Sequence, residues 1–230
     1  LVQRIRTMQS AAKHSPPDDL YTKEVLHAKD ALCLDGSPAA LYFRPASAPD
    51  GQRKVYVHFE GGGWCTDPSS CASRAQTLLG SSAAYPDRMV PYEDRGYFNT
   101  SVAYFSTDPA VNPQMHAWVS VFLRYCDGQS FAGAAQMPYG ATQLHFRGSA
   151  ILDAMIAHLI ANHGMANATD VVIGGASAGG LAAYLHADRW RHALPNARVV
   201  AMADSGFFLE TDSVNSESRS SKREAFSSGS

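Results

Sequence analysis

The chain lacks any apolar run long enough to cross a bilayer, so nothing in it reads as a membrane span. It also lacks a dominant charge. Its 230 residues include 19 basic and 21 acidic side chains, a net charge of -2, which gives no steering toward nucleic acid or an acidic membrane. Cysteine is scarce, with four at positions 33, 65, 71 and 126. Their spacing excludes a zinc ribbon and a redox C-x-x-C pair. An even number fits two disulfides and leaves three pairings open, although Cys65 and Cys71 are close enough to clip one loop. Two glycosylation sequons, at Asn99 and Asn167, join the cysteines in pointing to an extracellular or lumenal setting. No signal peptide is visible and the chain begins at Leu1, so a processed protein or a piece of a longer one is expected.

What is present is one core's worth of hydrophobic residues, 45% of the chain, arranged as strands alternating with helices. Strands are expected over residues 39–44, 53–60, 119–125 and 197–203. A helix is expected from His145 to His163, capped by Gly164. Residues 80–117 carry scattered prolines and read as loop. Thr211 to Ser230 is serine-rich and charged, and reads as a flexible tail.

The most informative stretch is Asp170 to Leu185, DVVIGGASAGGLAAYL. A β-branched run enters Gly175-Ala176-Ser177-Ala178-Gly179, and a small-residue helix leaves it. A bare G-x-S-x-G also occurs in glycine-rich turns that position nothing. The flanking strand and helix make this one a nucleophile elbow, which lifts a serine hydroxyl above the sheet edge. Upstream, the strand RKVYVHFE runs straight into Gly61-Gly62-Gly63-Trp64. Three glycines after a strand cost chain entropy, and their use is an unusual backbone path with N–H groups turned outward to hold an oxyanion.

Several stretches together resemble the pectin acetylesterase / Notum family of serine esterases, with the plant-type branch nearest. They are CLDGSP (33–38), HFEGGGWC (58–65), RYCDG (124–128), LHFRG (144–148), GGASAGG (174–180) and ADSGFFL (203–209). The resemblance implies an α/β-hydrolase-like fold with a mostly parallel sheet, helices on both faces and its C-terminal part missing. Residues 1–25 would be an N-terminal extension, 26–210 the partial domain, and 211–230 a tail or the start of a missing segment. It further implies Ser177 as nucleophile, with Gly62, Gly63 and Ala178 as the oxyanion hole. Trp64 and Asp204 would belong to the pocket, and the disulfides would be Cys33–Cys126 and Cys65–Cys71. The expected protein is secreted, a monomer, and free of metal or organic cofactors. Its partner would be an acetylated polysaccharide such as pectin, not nucleic acid.

The family's triad aspartate and histidine lie downstream of any matching position here, so the chain alone is expected to be inactive. Among local substitutes, His186 and His192 are expected at the surface of the elbow helix and His58 in a structural role. His145 is expected at the start of a helix. A pseudoenzyme that binds acylated glycan or lipid, and a deacylase of another O-acylated substrate, are the competing readings.

Overall fold

The computed structural model describes residues 20–91 and 103–209; the expected tail and the Asn99 sequon lie outside them. Alternating and β-branched segments form nine strands: β1 (Tyr21–Val25), β2 (Ala40–Arg44), β3 (Lys54–Phe59), β4 (Arg88–Met89), β5 (Val119–Leu123), β6 (Ala135–Tyr139), β7 (Thr142–Phe146), β8 (Asp170–Ala176) and β9 (Arg198–Asp204). Among the described residues three α-helices accompany them: α1 (Pro68–Arg74), α2 (Gly148–His163) and α3 (Ala178–Ala193).

Seven strands make one sheet in the order β4-β1-β2-β5-β3-β8-β9, while β6 and β7 stand apart as a hairpin. The run β5-β3-β8-β9 is parallel, and β4, β1 and β2 join it antiparallel. The sheet is therefore half parallel and half antiparallel, which corrects the mostly parallel expectation. The cause is connectivity. β1 returns to β2 without a helix, so the pair runs antiparallel, whereas α3 carries the chain over from β8 to the parallel β9. Residues 21–25, placed in an extension by the sequence reading, are β1 of this sheet.

Alternation along β3 divides the core. Val55, Val57 and Phe59 face Ile151, Leu152, Met155 and Leu159 of α2 and Ala182, Ala183 and Trp190 of α3. Burial of each large apolar side chain there contributes about 1.5–3 kcal/mol. Tyr56 points the other way, against Tyr42, Phe122, Tyr85 and Phe105. Both long helices thus cover one face. Among the described residues an aromatic irregular segment packs against the opposite face.

The helix expected from His145 begins at Gly148. Tyr139-Gly140, with Gly140 at φ 58°, folds residues 135–146 into the β6–β7 hairpin, so His145 lies on a strand. The far end matches expectation, with Gly164 left-handed after His163. Cys33–Cys126 and Cys65–Cys71 are both bonded. The first joins the β1–β2 connection to the end of β5. The second clips the loop after the glycine triplet to α1. No described helix is long and apolar enough to cross a membrane.

Candidate active site

The β3–β8 register builds the site. Phe59 pairs with Gly175. Two residues further along each parallel strand are Gly61 and Ser177, which the register brings level. A Cβ placed on Gly61 would lie 3.5 Å from the Ser177 Cβ and 2.3 Å from the Ala176 carbonyl oxygen. Only glycine permits that approach. Ser177 itself adopts φ 56°, ψ -123°, rare for a side-chain-bearing residue and consistent with a strained strand-to-helix turn. Its amide donates to the Asp204 carbonyl at 3.0 Å, which fastens the turn to the end of β9. Helix α3 starts at the next residue, so the buried Ala178 supplies one of the N–H groups without an intrahelical acceptor.

Gly62 and Gly63 follow at φ 146° and 64°. Their carbonyls are held from behind. Arg74 Nη1 donates to Gly62 O at 2.9 Å, and the Tyr125 hydroxyl donates to Gly63 O at 2.9 Å. In a planar trans peptide the N–H points opposite the C=O, so fixing these carbonyls aims the Gly63 and Trp64 amides. The Arg74 guanidinium also lies over the Tyr125 ring at 4.8 Å.

Behind the loop sits Ser130, itself at φ 52°. Its hydroxyl accepts from Trp64 Nε1 at 2.8 Å and donates to the Ala178 carbonyl at 2.9 Å. Its amide donates to the Tyr125 hydroxyl at 3.0 Å. One residue thereby ties the glycine loop to the elbow. Burial, reinforced by the charge of Asp127, pushes the Tyr125 phenol well up, so it stays a neutral donor. Burial also raises the Asp127 carboxyl to about 6, against the pull of the Phe131 amide and Arg74.

Sequence reasoning missed Arg74, Tyr125 and Ser130 as parts of this arrangement. Tyr125 had a signal, since RYCDG ends a strand next to the site. Ser130 had none, because a left-handed serine looks like any loop serine.

The other expected residues are placed as follows. Trp64 is half-buried, and its ring meets Phe208 edge-on at 4.9 Å. Asp204 is exposed at the end of β9, where its carboxylate accepts from the Ser205 hydroxyl at 3.0 Å. Asn167 is exposed, as a glycan acceptor must be. His58 is buried between Phe105 and Phe122, with Nδ1 2.7 Å from the Tyr56 hydroxyl. Burial lowers it from 6.5 to about 3. His192 is exposed. His186 is not at the surface as expected. It is buried, with Nε2 3.1 Å from the Ser130 carbonyl, and burial lowers its pKa. Among the described residues no histidine or carboxylate hydrogen-bonds the Ser177 hydroxyl.

The family model for pectinacetylesterase matches residues 13–228. The chain is 39% identical over 207 residues to pectin acetylesterase 5 of Arabidopsis thaliana, covering 87% of this chain and 45% of that protein. It is 40% identical over 183 residues to pectin acetylesterase 7 of the same plant, with 79% and 44% covered. It is also 30% identical over 185 residues to the palmitoleoyl-protein carboxylesterase NOTUM of Mus musculus, with 77% and 34% covered. The chain thus spans less than half the length of these relatives. With a match running through both the glycine loop and the elbow, the chain belongs to the pectinacetylesterase family.

Proposed function

We propose that this chain carries the nucleophile and oxyanion half of a serine esterase that removes acetyl groups from a polysaccharide such as pectin. The observation that carries the reading is Ser177 in a left-handed turn, level with the glycine loop. Ser177 attacks the ester carbonyl. The Gly62, Gly63 and Ala178 amides take the tetrahedral oxyanion, its collapse breaks the ester bond and expels the sugar hydroxyl with the proton that serine gave up, and water then releases acetate from the acyl-serine. Trp64 walls the acyl pocket, with Asp204 at its rim. Arg74 aims the Gly63 amide through the Gly62 carbonyl, and Tyr125 and Ser130 brace the loop and the elbow beside it. The folded unit over the described residues is an α/β-hydrolase-like domain. The names of the plant relatives support the acetyl-pectin assignment, and the two disulfides and the Asn167 sequon support secretion, to the cell wall in this reading. Metal and organic cofactors have no part in this scheme.

General-base catalysis contributes about 10²–10⁴-fold, and no described imidazole reaches Ser177. The chain by itself is therefore expected to turn over p-nitrophenyl acetate slowly. Added imidazole tests this by standing in for the base. The rate above that of Ser177→Ala is expected to grow with imidazole concentration. Identical rates for the two proteins at every concentration would remove Ser177 from the chemistry. Acetylated-pectin binding without any Ser177-dependent rate would instead favour a pseudoenzyme. Preference for a long-chain ester over acetate would favour a deacylase of another O-acylated substrate, the activity named for the NOTUM relative.

A further inference from the structure

Across the sheet from the elbow strand β8, three side chains from two elements converge. Glu24 is on β1, and His158 and His163 are on the last turns of α2. His158 Nε2 lies 2.6 Å from Glu24 Oε2, and His163 Nε2 lies 2.8 Å from the same oxygen. All three atoms lie within 4.8 Å of one another, the one such set of potential ligands among the described residues. The side chains are 19–25% exposed, which leaves one open side. A five-residue separation spreads the two histidines about 140° apart around an ideal helix, so sequence spacing hides the pair.

We propose that Glu24, His158 and His163 form a binding site for a borderline-soft divalent cation such as zinc, with solvent in the fourth position. Two imidazoles and a carboxylate suit that class of ion. A tetrahedral ion with bonds of about 2.0–2.2 Å sets its ligand atoms roughly 3.4 Å apart. The two nitrogen–oxygen separations, 2.6 and 2.8 Å, therefore open by roughly 0.6–0.8 Å on binding, within reach of side-chain rotation.

The surroundings are already those of a ligand set. Phe43 stacks on the His163 ring with centroids 3.8 Å apart, which fixes its plane. Asn162 Nδ2 lies 3.1 Å from His158 Nδ1. Coordination through Nε2 leaves the ring proton on Nδ1, and the Asn162 side chain, whose Nδ2 also donates to the His158 carbonyl at 3.1 Å, gives up that bond to present Oδ1 to it. The ion bridges β1 to α2 and so acts on stability, independently of the esterase reading.

The test is calorimetric titration of the chelator-treated chain with zinc chloride, with thermal melts and the cobalt(II) visible spectrum alongside. One saturable site is expected, with a melting temperature raised by about 5–10 °C at roughly a hundred times Kd. A tetrahedral cobalt spectrum is expected. Glu24→Gln keeps an acceptor for both imidazoles and removes the anionic ligand, so it preserves the fold and is expected to weaken zinc by at least tenfold. His163→Ala is expected to abolish binding, and Asn162→Ala to weaken it about 10–100-fold while leaving all three ligands. Absence of saturable binding, or an affinity unchanged in Glu24→Gln and Asn162→Ala, overturns the proposal.

Discussion

The two ends of the parallel strands solve different problems. At the carboxyl ends the backbone itself is the working part. Ser177, Gly62, Gly63 and Ser130 all hold positive φ there, and Gly61 and Gly179 lie against neighbouring backbone. At the amino ends, Gly164 to Asn167 lead into β8 through a helix cap and one 3-10 turn. A Cβ on Gly164 would meet nothing within 4 Å. Positive φ in side-chain-bearing residues, at Ser130, Phe131, Ser177 and Ser205, therefore gathers at the carboxyl ends, whereas close backbone approach occurs at both, since a Cβ on Gly51 at the amino ends would lie 1.9 Å from the Ala117 carbonyl oxygen.

The comparison breaks most sharply at Gly179. Its substitution by alanine would place Cβ 2.1 Å from the Phe59 carbonyl oxygen and 2.9 Å from the Glu60 carbonyl carbon. Neither atom is free to retreat, since both belong to the β3 end that sets the register with β8. Gly179→Ala is expected to lose more than about 4 kcal/mol, seen as a collapse of the urea midpoint or of soluble yield. A normal midpoint would mean that the elbow and the glycine loop do not cross this tightly.

Buried ionisable groups supply the next contrast, because His58 and Asp127 are both near the carboxyl ends and respond oppositely to acid. The unfolded chain protonates His58 near 6.5, the folded chain only near 3. The stability it supports is complete above pH 6.5 and falls by about 3 kcal/mol by pH 4. The folded Asp127 carboxyl protonates near 6, against 3.8 unfolded. Its ionisation costs stability as pH rises from 3.8 through 6, so acid restores up to about 3 kcal/mol there. In the intact chain the two slopes nearly cancel between pH 4 and 6. Urea midpoints of His58→Gln are expected to rise on acidification across that window, and those of Asp127→Asn to fall. Parallel profiles for the two variants would show that one of these groups is hydrated.

Much of the carboxyl end was legible because its signals are local. GGASAGG and HFEGGG each need glycine within a few residues, so composition alone exposes them. The register that brings Gly61 level with Ser177 was not legible, because it depends on which strand pairs with which. Strand direction is equally silent, since Ala40–Arg44 and Lys54–Phe59 read alike yet run in opposite senses relative to β5. The helix start was misplaced because Leu144 and Phe146 are buried and prolong the apolar pattern of α2 backward. His186 was misread as a surface residue because one buried polar contact, to the Ser130 carbonyl, does not show in helical periodicity.

The positioning residues sharpen the contrast at smaller cost. Tyr125→Phe removes the hydroxyl shared by the Gly63 carbonyl and the Ser130 amide. The two stranded groups are expected to cost about 1–3 kcal/mol. The Ser177-dependent, imidazole-assisted rate is expected to drop on the order of tenfold, short of the roughly 10²–10³ that follows loss of an oxyanion donor itself. Stability lost with the rate intact would make Tyr125 a packing residue and leave the amides aimed by Arg74 alone.

Gly164→Ala is the matched control at the other end. Its φ of 64° strains any side chain, but the space around it is open. The left-handed conformation alone is expected to cost about 1 kcal/mol, with the Ser177-dependent rate unchanged. Measured in the same urea series as Gly179→Ala, it separates the cost of backbone angle from the cost of close approach, because both variants add the same single methyl. If the two losses were equal, close approach at Gly179, whose φ is helical, would cost no more than a left-handed angle does at Gly164. A several-fold larger loss at Gly179 assigns the difference to contact, which is the physical content of a serine held against a glycine loop.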